Sequence, residues 1–256
     1  MKKLIIVCFL VLAFWNFNAN AGSKLTATGN GLVLCPKDIT NGLVGYWKLD
    51  EGTGTTIADS SGYGSHGTAT GMTWDTDSQR GVCGSFDGVD DYVTIPDSTG
   101  TNIEGSRSVS LSVWIYPITQ DGGSNYIIFK HRVVSGTNRG GFYLQNSSAT
   151  PDFIISNNSN ALVVTSPSTI GTTTWTHVCG VYNISSGGSA LLYINGRLVA
   201  SGTMSSGLGT HTATNVQLSA AFAAANINAK LDEASIYNRA LSKREVLNLY
   251  LYSYSE

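Results

Sequence analysis

The sequence predicts an all-β protein, two antiparallel sheets packed as a sandwich with one short helix at the C-terminal end. Three observations predict it. Polarity in this chain of 256 residues comes from Gly, Ser, Thr and Asn rather than from charge, since only 12% of residues are Asp, Glu, Lys or Arg. That composition argues against a helical bundle or coiled coil. Apolar residues also recur with a period of two in short runs bounded by Gly, Asn, Ser and Asp, the pattern of half-buried strands. Finally, 42% hydrophobic residues suffice for a packed core, and the length suits one undivided domain.

The elements follow in order. Leu43, Gly45, Trp47 and Leu49 share one face of a first strand. Residues 108–116 alternate most cleanly: Val109, Leu111, Val113 and Ile115 point one way, Ser110, Ser112, Trp114 and Tyr116 the other. Further strands are expected over 92–95, 126–130, 141–145, 152–155, 161–165, 175–182, 216–218 and 231–237. Residues 190–194 and 197–200 flank Asn195-Gly196, a pair suited to a type I′ hairpin turn because both central residues need positive φ. Ser242-Lys243-Arg244-Glu245 is a capping box, and Val246, Leu249 and Tyr250 follow at helical spacing, so a helix ending near Leu251 should cover a sheet edge or an end of the sandwich.

The N-terminus has the three parts of a secretory signal: Met1-Lys2-Lys3, an apolar run over 4–15, and Ala19-Asn20-Ala21 before the expected cleavage. That run is shorter than the roughly 18 or more apolar residues of a membrane span. The chain therefore reads as signal 1–21, linker or lead-in strand 22–41, domain 42–252 and tail 253–256. It is expected outside the cell or at its surface, with no span left after cleavage. Cys8 leaves with the signal, so Cys35, Cys83 and Cys179 remain. At most one pair can form among three. Cys179 sits within an apolar strand pattern and reads as a small core residue, which makes Cys35–Cys83 the pairing to test.

Several functions are disfavoured. A net charge of −2 with no basic cluster beyond the signal leaves no footprint for nucleic acid. No CxxC or HExxH spacing supports zinc, and no Gly-x-Ser-x-Gly supports a serine nucleophile. Glycosidases on sandwiches alternate acidic residues along one strand, whereas Asp232-Glu233 are adjacent and should face opposite sides. A lyase using Tyr143 with His131 has no positioned base in the pattern.

Six segments occur in register: 45–52 (GYWKLDEG), 59–62 (DSSG), 86–93 (FDGVDDYV), 175–178 (WTHV), 192–196 (LYING) and 231–242 (LDEASIYNRALS). Together they resemble the laminin G-like domains of the concanavalin A-like lectin/glucanase superfamily, over about residues 42 to 252. The resemblance implies a jelly-roll sandwich that binds sugars or proteins outside the cell, commonly with a calcium ion. Related domains join their beginning to a carboxylate just before the last strand through calcium. On that ground Asp59 and Asp232 are the expected ligands, with Glu51 and carbonyls near Gly62 as additions. Asp59-Ser60-Ser61-Gly62 reads equally as an Asx-type turn, and Asp87, Asp90 and Asp91 as another tight turn.

Sugar recognition needs flat aromatic faces and a few polar groups. Tyr63, Trp74 and Tyr126 are expected at the surface for this role, while Trp114 reads as core. The expected function is a non-catalytic module for a glycan or cell-surface polysaccharide, with calcium fixing loops. Adhesion to protein, an envelope or particle component, and a small glycan-active hydrolase or lyase are the alternatives.

Overall fold

The computed structural model describes residues 39–77, 80–105, 107–119, 123–135, 138–209, 214–219 and 226–251. A boundary at Lys37 separates an N-terminal unit from the domain. The expected signal segment and Cys35 lie outside the described residues.

Sixteen strands occur among the described residues: β1 Leu43–Trp47, β2 Thr56–Ile57, β3 Gly67–Thr70, β4 Thr73–Asp77, β5 Gly81–Asp87, β6 Tyr92–Ile95, β7 Val109–Pro117, β8 Ser124–Ser135, β9 Asn138–Ser147, β10 Thr150–Asn157, β11 Ala161–Thr165, β12 Thr176–Asn183, β13 Ser189–Ile194, β14 Arg197–Thr203, β15 Val216–Leu218 and β16 Asn228–Tyr237. One sheet runs β14-β13-β12-β7-β16-β5-β4, with β1 also paired to β16; the other runs β11-β10-β9-β8-β15-β6-β3-β2. Every pairing is antiparallel. This is the jelly-roll sandwich that the sequence predicts.

Period-two burial builds the core between the sheets. Val109, Leu111, Val113 and Ile115 of β7 point inward against Phe142 and Leu144 of β9 and Phe153 and Ile155 of β10. A side chain of this kind, fully removed from water, contributes about 1.5–3 kcal/mol. Gly180 of β12 lets the sheets approach, because a Cβ there would overlap the Phe153 ring. At one end of this layer Lys130 is fully buried. Its Nζ donates to Asp97 Oδ1 at 2.6 Å, Thr101 Oγ1 at 3.3 Å and the Thr214 carbonyl at 2.7 Å, tying β8 to the segments beside β6 and β15. Burial lowers its pKa, and the Asp97 carboxylate opposes that shift.

The hairpin and the helix form as expected. Asn195 and Gly196 have φ of 50° and 72°. Helix α1 spans Lys243–Leu251; the Glu245 amide donates to Ser242 Oγ, and Glu245 Oε2 accepts from the Ser242 amide at 2.8 Å. The helix position differs from expectation. It lies on the outer face of the first sheet, where Val246 and Leu249 meet Tyr46, Cys179, Val181, Tyr193 and Tyr237. The physical reason is that these strands are apolar on both faces, so the outer one needs a cover. Arg239 fixes the helix start, donating to both Glu245 oxygens at 2.8 and 3.1 Å. No described helix is long and apolar enough to cross a membrane.

Strands β2 to β5 are not among the strands the sequence predicts. Thr, Ser and Gly pleat them, so the hydrophobic alternation that reveals strands elsewhere is missing. Replacing Gly180 with Ala should lower stability by about 1–3 kcal/mol, because overpacking against Phe153 must be relieved by backbone shifts. Urea denaturation monitored by tryptophan fluorescence measures it, and an unchanged midpoint would contradict the close approach.

Candidate functional site

Beyond the ground covered by α1, the outer face of the first sheet carries a second cluster. Register sets it: Asp232 of β16 lies opposite Trp114 of β7, and Trp114 opposite His177 of β12. Trp114 thus points away from the inter-sheet core, yet it is buried, packed with Cys83 and Trp175 and flanked by Tyr116 and Tyr250. Trp114 contacts the His177 ring at 5.3 Å and stacks on Tyr250 at 5.7 Å, while Tyr116 and Trp175 meet at 5.5 Å.

Arg80, from the turn before β5, reaches over these rings. Its guanidinium carbon is 4.2 Å from the Trp114 ring centroid and 5.7 Å from that of Trp175. Its Nε donates to Asp232 Oδ2 at 2.5 Å, and its terminal nitrogen pairs with Glu233 Oε1 at 3.0 Å. Beside it Lys230 lies 5.0 Å from the Tyr116 centroid and pairs with Asp75 and Asp77 at 3.1 and 3.4 Å.

Strict alternation places Asp232 and Glu233 on opposite faces, and the structure corrects that. A bulge interrupts the β16–β7 register between Asp232 and Ser235, and Glu233 has φ of 50°. A bulge inserts an unpaired residue and re-aims its side chain, so both carboxylates meet one arginine. Burial pushes Asp232 up to about 6 and Glu233 up to about 7, with Arg80 pulling both back. His177 is neutral: burial first, and the charge on Arg80 second, push it down to about 3. Its Nε2 lies 2.8 Å from Ser112 Oγ.

The residues expected to bind ligand are not brought together. Tyr63 is 52% exposed in a loop. Trp74 is part of β4, packs on the inter-sheet core and donates its Nε1–H to the Gly54 carbonyl at 3.0 Å. Tyr126, expected at the surface, is buried in β8 because Phe129, Tyr143 and Ile154 of the same sheet pack around its ring. Sequence reading missed Arg80, Lys230 and Trp175; Arg80 lies in a polar turn with no pattern of its own.

The expected calcium ligands are also apart. Asp59 Oδ1 accepts from the Tyr46 and Ser61 amides at 3.0 and 2.9 Å, and Oδ2 from the Ser65 amide at 2.9 Å. Glu51 Oε1 accepts from the Ala58 amide at 2.8 Å, and Gly62 serves the turn with φ of 92°. Asp59 therefore pins the loop to β1, while Asp232 faces a cation, and the three carboxylates form no common cluster among the described residues. These three side chains do not converge on one point, as the carboxylates of a calcium cage of six to eight oxygens would. Asp87, Asp90 and Asp91 do gather, as a turn in which Asp87 Oδ1 accepts from the Val89 amide and Asp91 Oδ2 from the Asp87 amide. Cys83 is fully buried within β5, and its expected partner Cys35 lies outside the described residues.

Residues 87–247 match the laminin G family profile described as the concanavalin A-like lectin/glucanases superfamily. The chain belongs to this superfamily. Among solved structures it is similar to the binding domain of Paraclostridial mosquitocidal protein 1, at 16% identity and TM-score 0.66, over 82% of this chain and 52% of that one. It is similar to domain 4 of AbnA, an extracellular arabinanase from Geobacillus stearothermophilus, in complex with arabinotriose, at 20% identity and TM-score 0.63, over 81% of this chain and 98% of that one. A third is the ligand-binding domain of botulinum neurotoxin serotype D in complex with N-acetylneuraminic acid, at 16% identity and TM-score 0.65, over 84% and 52%. The superfamily member thus spans about half of each toxin domain, and at these identities the likeness is one of fold. No curated protein matches the sequence.

The cluster gives the domain an unusual pH response. Asp232 and Glu233 have folded-state pKa values raised above their ordinary 3.8 and 4.5, so their contribution is full below those values and is lost as pH rises through about 6 and 7. His177 acts oppositely: its folded value is depressed from 6.5 to about 3, so its contribution is full above 6.5 and is lost as pH falls toward 3. Two groups gain where one loses, so the thermal midpoint should be higher near pH 5 than near pH 8. Glu233→Gln should flatten the difference, and a wild-type midpoint that rises with pH over this range would contradict the assignment.

Proposed function

We propose that this chain is an exported, non-catalytic recognition module that binds carbohydrate. The observation that carries the reading is the gathering of Trp114, Tyr116 and Trp175 on one sheet face, beside the half-exposed Asp75 and its largely buried partner Lys230. Flat rings suit the C–H faces of sugars, and bordering charged groups fix hydroxyls. The similar domains solved with arabinotriose and with N-acetylneuraminic acid support a sugar as ligand. Another, the binding domain of botulinum neurotoxin DC, was solved in complex with rat synaptotagmin II, which supports protein as the alternative partner. The expected signal segment supports export.

Affinity electrophoresis through gels containing polysaccharides tests the reading. A carbohydrate module is retarded in at least one gel and releases no reducing ends or unsaturated sugars; migration unchanged in every gel would shift the proposal to a protein partner. A second reading, a glycan hydrolase, is favoured by one specific observation: Asp232 and Glu233 share a face, and both carboxyls titrate near neutral pH. Under that reading reducing ends accumulate, and Glu233→Gln stops them.

Export and calcium have their own tests. N-terminal sequencing of secreted protein should begin at Gly22 if the signal is cleaved as its pattern predicts. Melting curves in calcium and in a chelator should coincide, because Asp59 and Asp232 are engaged elsewhere; an ion that binds the folded state raises the midpoint by mass action, and such a rise would restore calcium to the domain.

A further inference from the structure

We propose that the aromatic patch of Trp114 and Trp175 is the glycan subsite, that it takes an uncharged sugar, and that Arg80 covers it in the free protein. This rests on the carbohydrate reading above and names the ligand class and the gate of that site.

Unmet hydrogen-bonding capacity points to a ligand there. Trp114 Nε1, Trp175 Nε1 and His177 Nδ1 are buried without a hydrogen-bond partner among the described residues. Trp114 is 8% exposed, Trp175 7% and His177 0%. Buried polar groups nearly always have partners, and a group of unpaired ones in native structures calls for a specific explanation. The two indole nitrogens can only donate. An indole N–H points in the plane of its ring, so each missing partner is an acceptor at a ring edge, which a molecule stacked on the neighbouring ring can present. A sugar supplies both the acceptor and the stacking face.

Charge selects among sugars. Four carboxylates, Asp75, Asp77, Asp232 and Glu233, surround two cations, Arg80 and Lys230, and each cation is paired with two of them. A uronic or sialic acid would bring a further anion to cations already satisfied. A neutral sugar meets no such repulsion.

Arg80 shares the cover of these rings with Tyr250 on Trp114 and Tyr116 on Trp175. Its guanidinium carbon lies 4.2 Å from the Trp114 centroid and 5.7 Å from that of Trp175, over the face a stacked sugar ring takes. Guanidinium and sugar thus compete for one aromatic face, and the ligand enters by displacing the arginine from it. The apparent affinity of such a site is reduced by the fraction of time the plug is in place.

The full chain is run by affinity electrophoresis against neutral probes, arabinan, mannan and β-glucan, and acidic probes, polygalacturonate and polysialic acid. The expected result is retardation by a neutral probe and by neither acidic one. Trp114→Phe and Trp175→Phe, which keep an aromatic ring and delete the N–H, should each weaken retardation about tenfold, the scale of one hydrogen bond. Arg80→Gln should strengthen it several-fold. Should that variant lose its native melting transition, the triple variant R80Q/D232N/E233Q leaves no buried charge unpaired and tests the same point. Retardation only by acidic probes, phenylalanine variants that bind like wild type, or weaker binding without Arg80 would each overturn the inference while the carbohydrate reading stands. No retardation by any probe would overturn both.

Discussion

The site depends on one defect in one strand. Strand β16 pairs with β7 along most of its length, but its other edge changes partner: residues 228–231 pair with β5, and residues 234–237 with β1. The bulge at Glu233 falls at that change, and the Glu233 amide donates to the Lys48 carbonyl at 3.2 Å, just past the end of β1. Bulges bend a strand and raise its twist, which lets it serve two neighbours that do not lie in line. The same bend delivers two adjacent carboxylates to one arginine. Sheet construction and site construction are thus a single event.

The outer face of this sheet is divided between two solutions to one problem. A jelly roll buries the inner faces of its sheets against each other, and here β7, β12, β13 and β16 carry large side chains outward as well. Helix α1 covers Cys179, Val181, Tyr193 and Tyr237 with Val246 and Leu249, an apolar cover over apolar residues. Tyr250, near its end, passes onto Trp114, where the cover becomes polar. Glu245 keeps the helix in place from its other end: burial would raise its carboxyl, but bonds from Arg239 and Ser242 bring it down to about 2. Helix position and cluster packing are mechanically continuous.

Much of this was legible in the sequence, where one local rule decides the outcome. Period-two alternation in β7, the Asn195-Gly196 turn and the Ser242/Glu245 capping box each act over a few residues, and each forms as read. What was hidden depends on distant partners. Strands β2 to β5 lack greasy alternation because Thr, Ser, Asp and Gly fill most of their positions. Alternation fails at Asp232-Glu233 because the bulge answers to β1 and β5, which are far away in sequence. Trp114 was legible as covered, but what covers it was not, since Arg80 meets Asp232 across 152 positions. Tyr126 carries no local mark that would tell a covered outer face from an open one.

The chemistry of the uncovered half argues for use rather than support. A buried ion pair recovers little more than its desolvation cost, and well-packed apolar residues of similar volume commonly do as well or better. The adjoining half of this face shows that the fold can build such an apolar cover, in α1. Yet around Trp114 it keeps an arginine, two carboxyls with raised pKa values and three buried nitrogens without partners, each a cost to the folded state. Disagreement between local stability and retained polar groups is concentrated at functional sites in proteins whose other elements agree with one another. In this domain the β7 alternation, the Asn195-Gly196 hairpin and the Ser242/Glu245 cap agree, although Lys130 is buried beside the core and Asn248 of α1 is buried with its amide unpaired among the described residues. Unpaired buried atoms occur elsewhere too, but in this patch three of them gather beside two carboxyls with raised pKa values, and that is where a ligand would repay the cost.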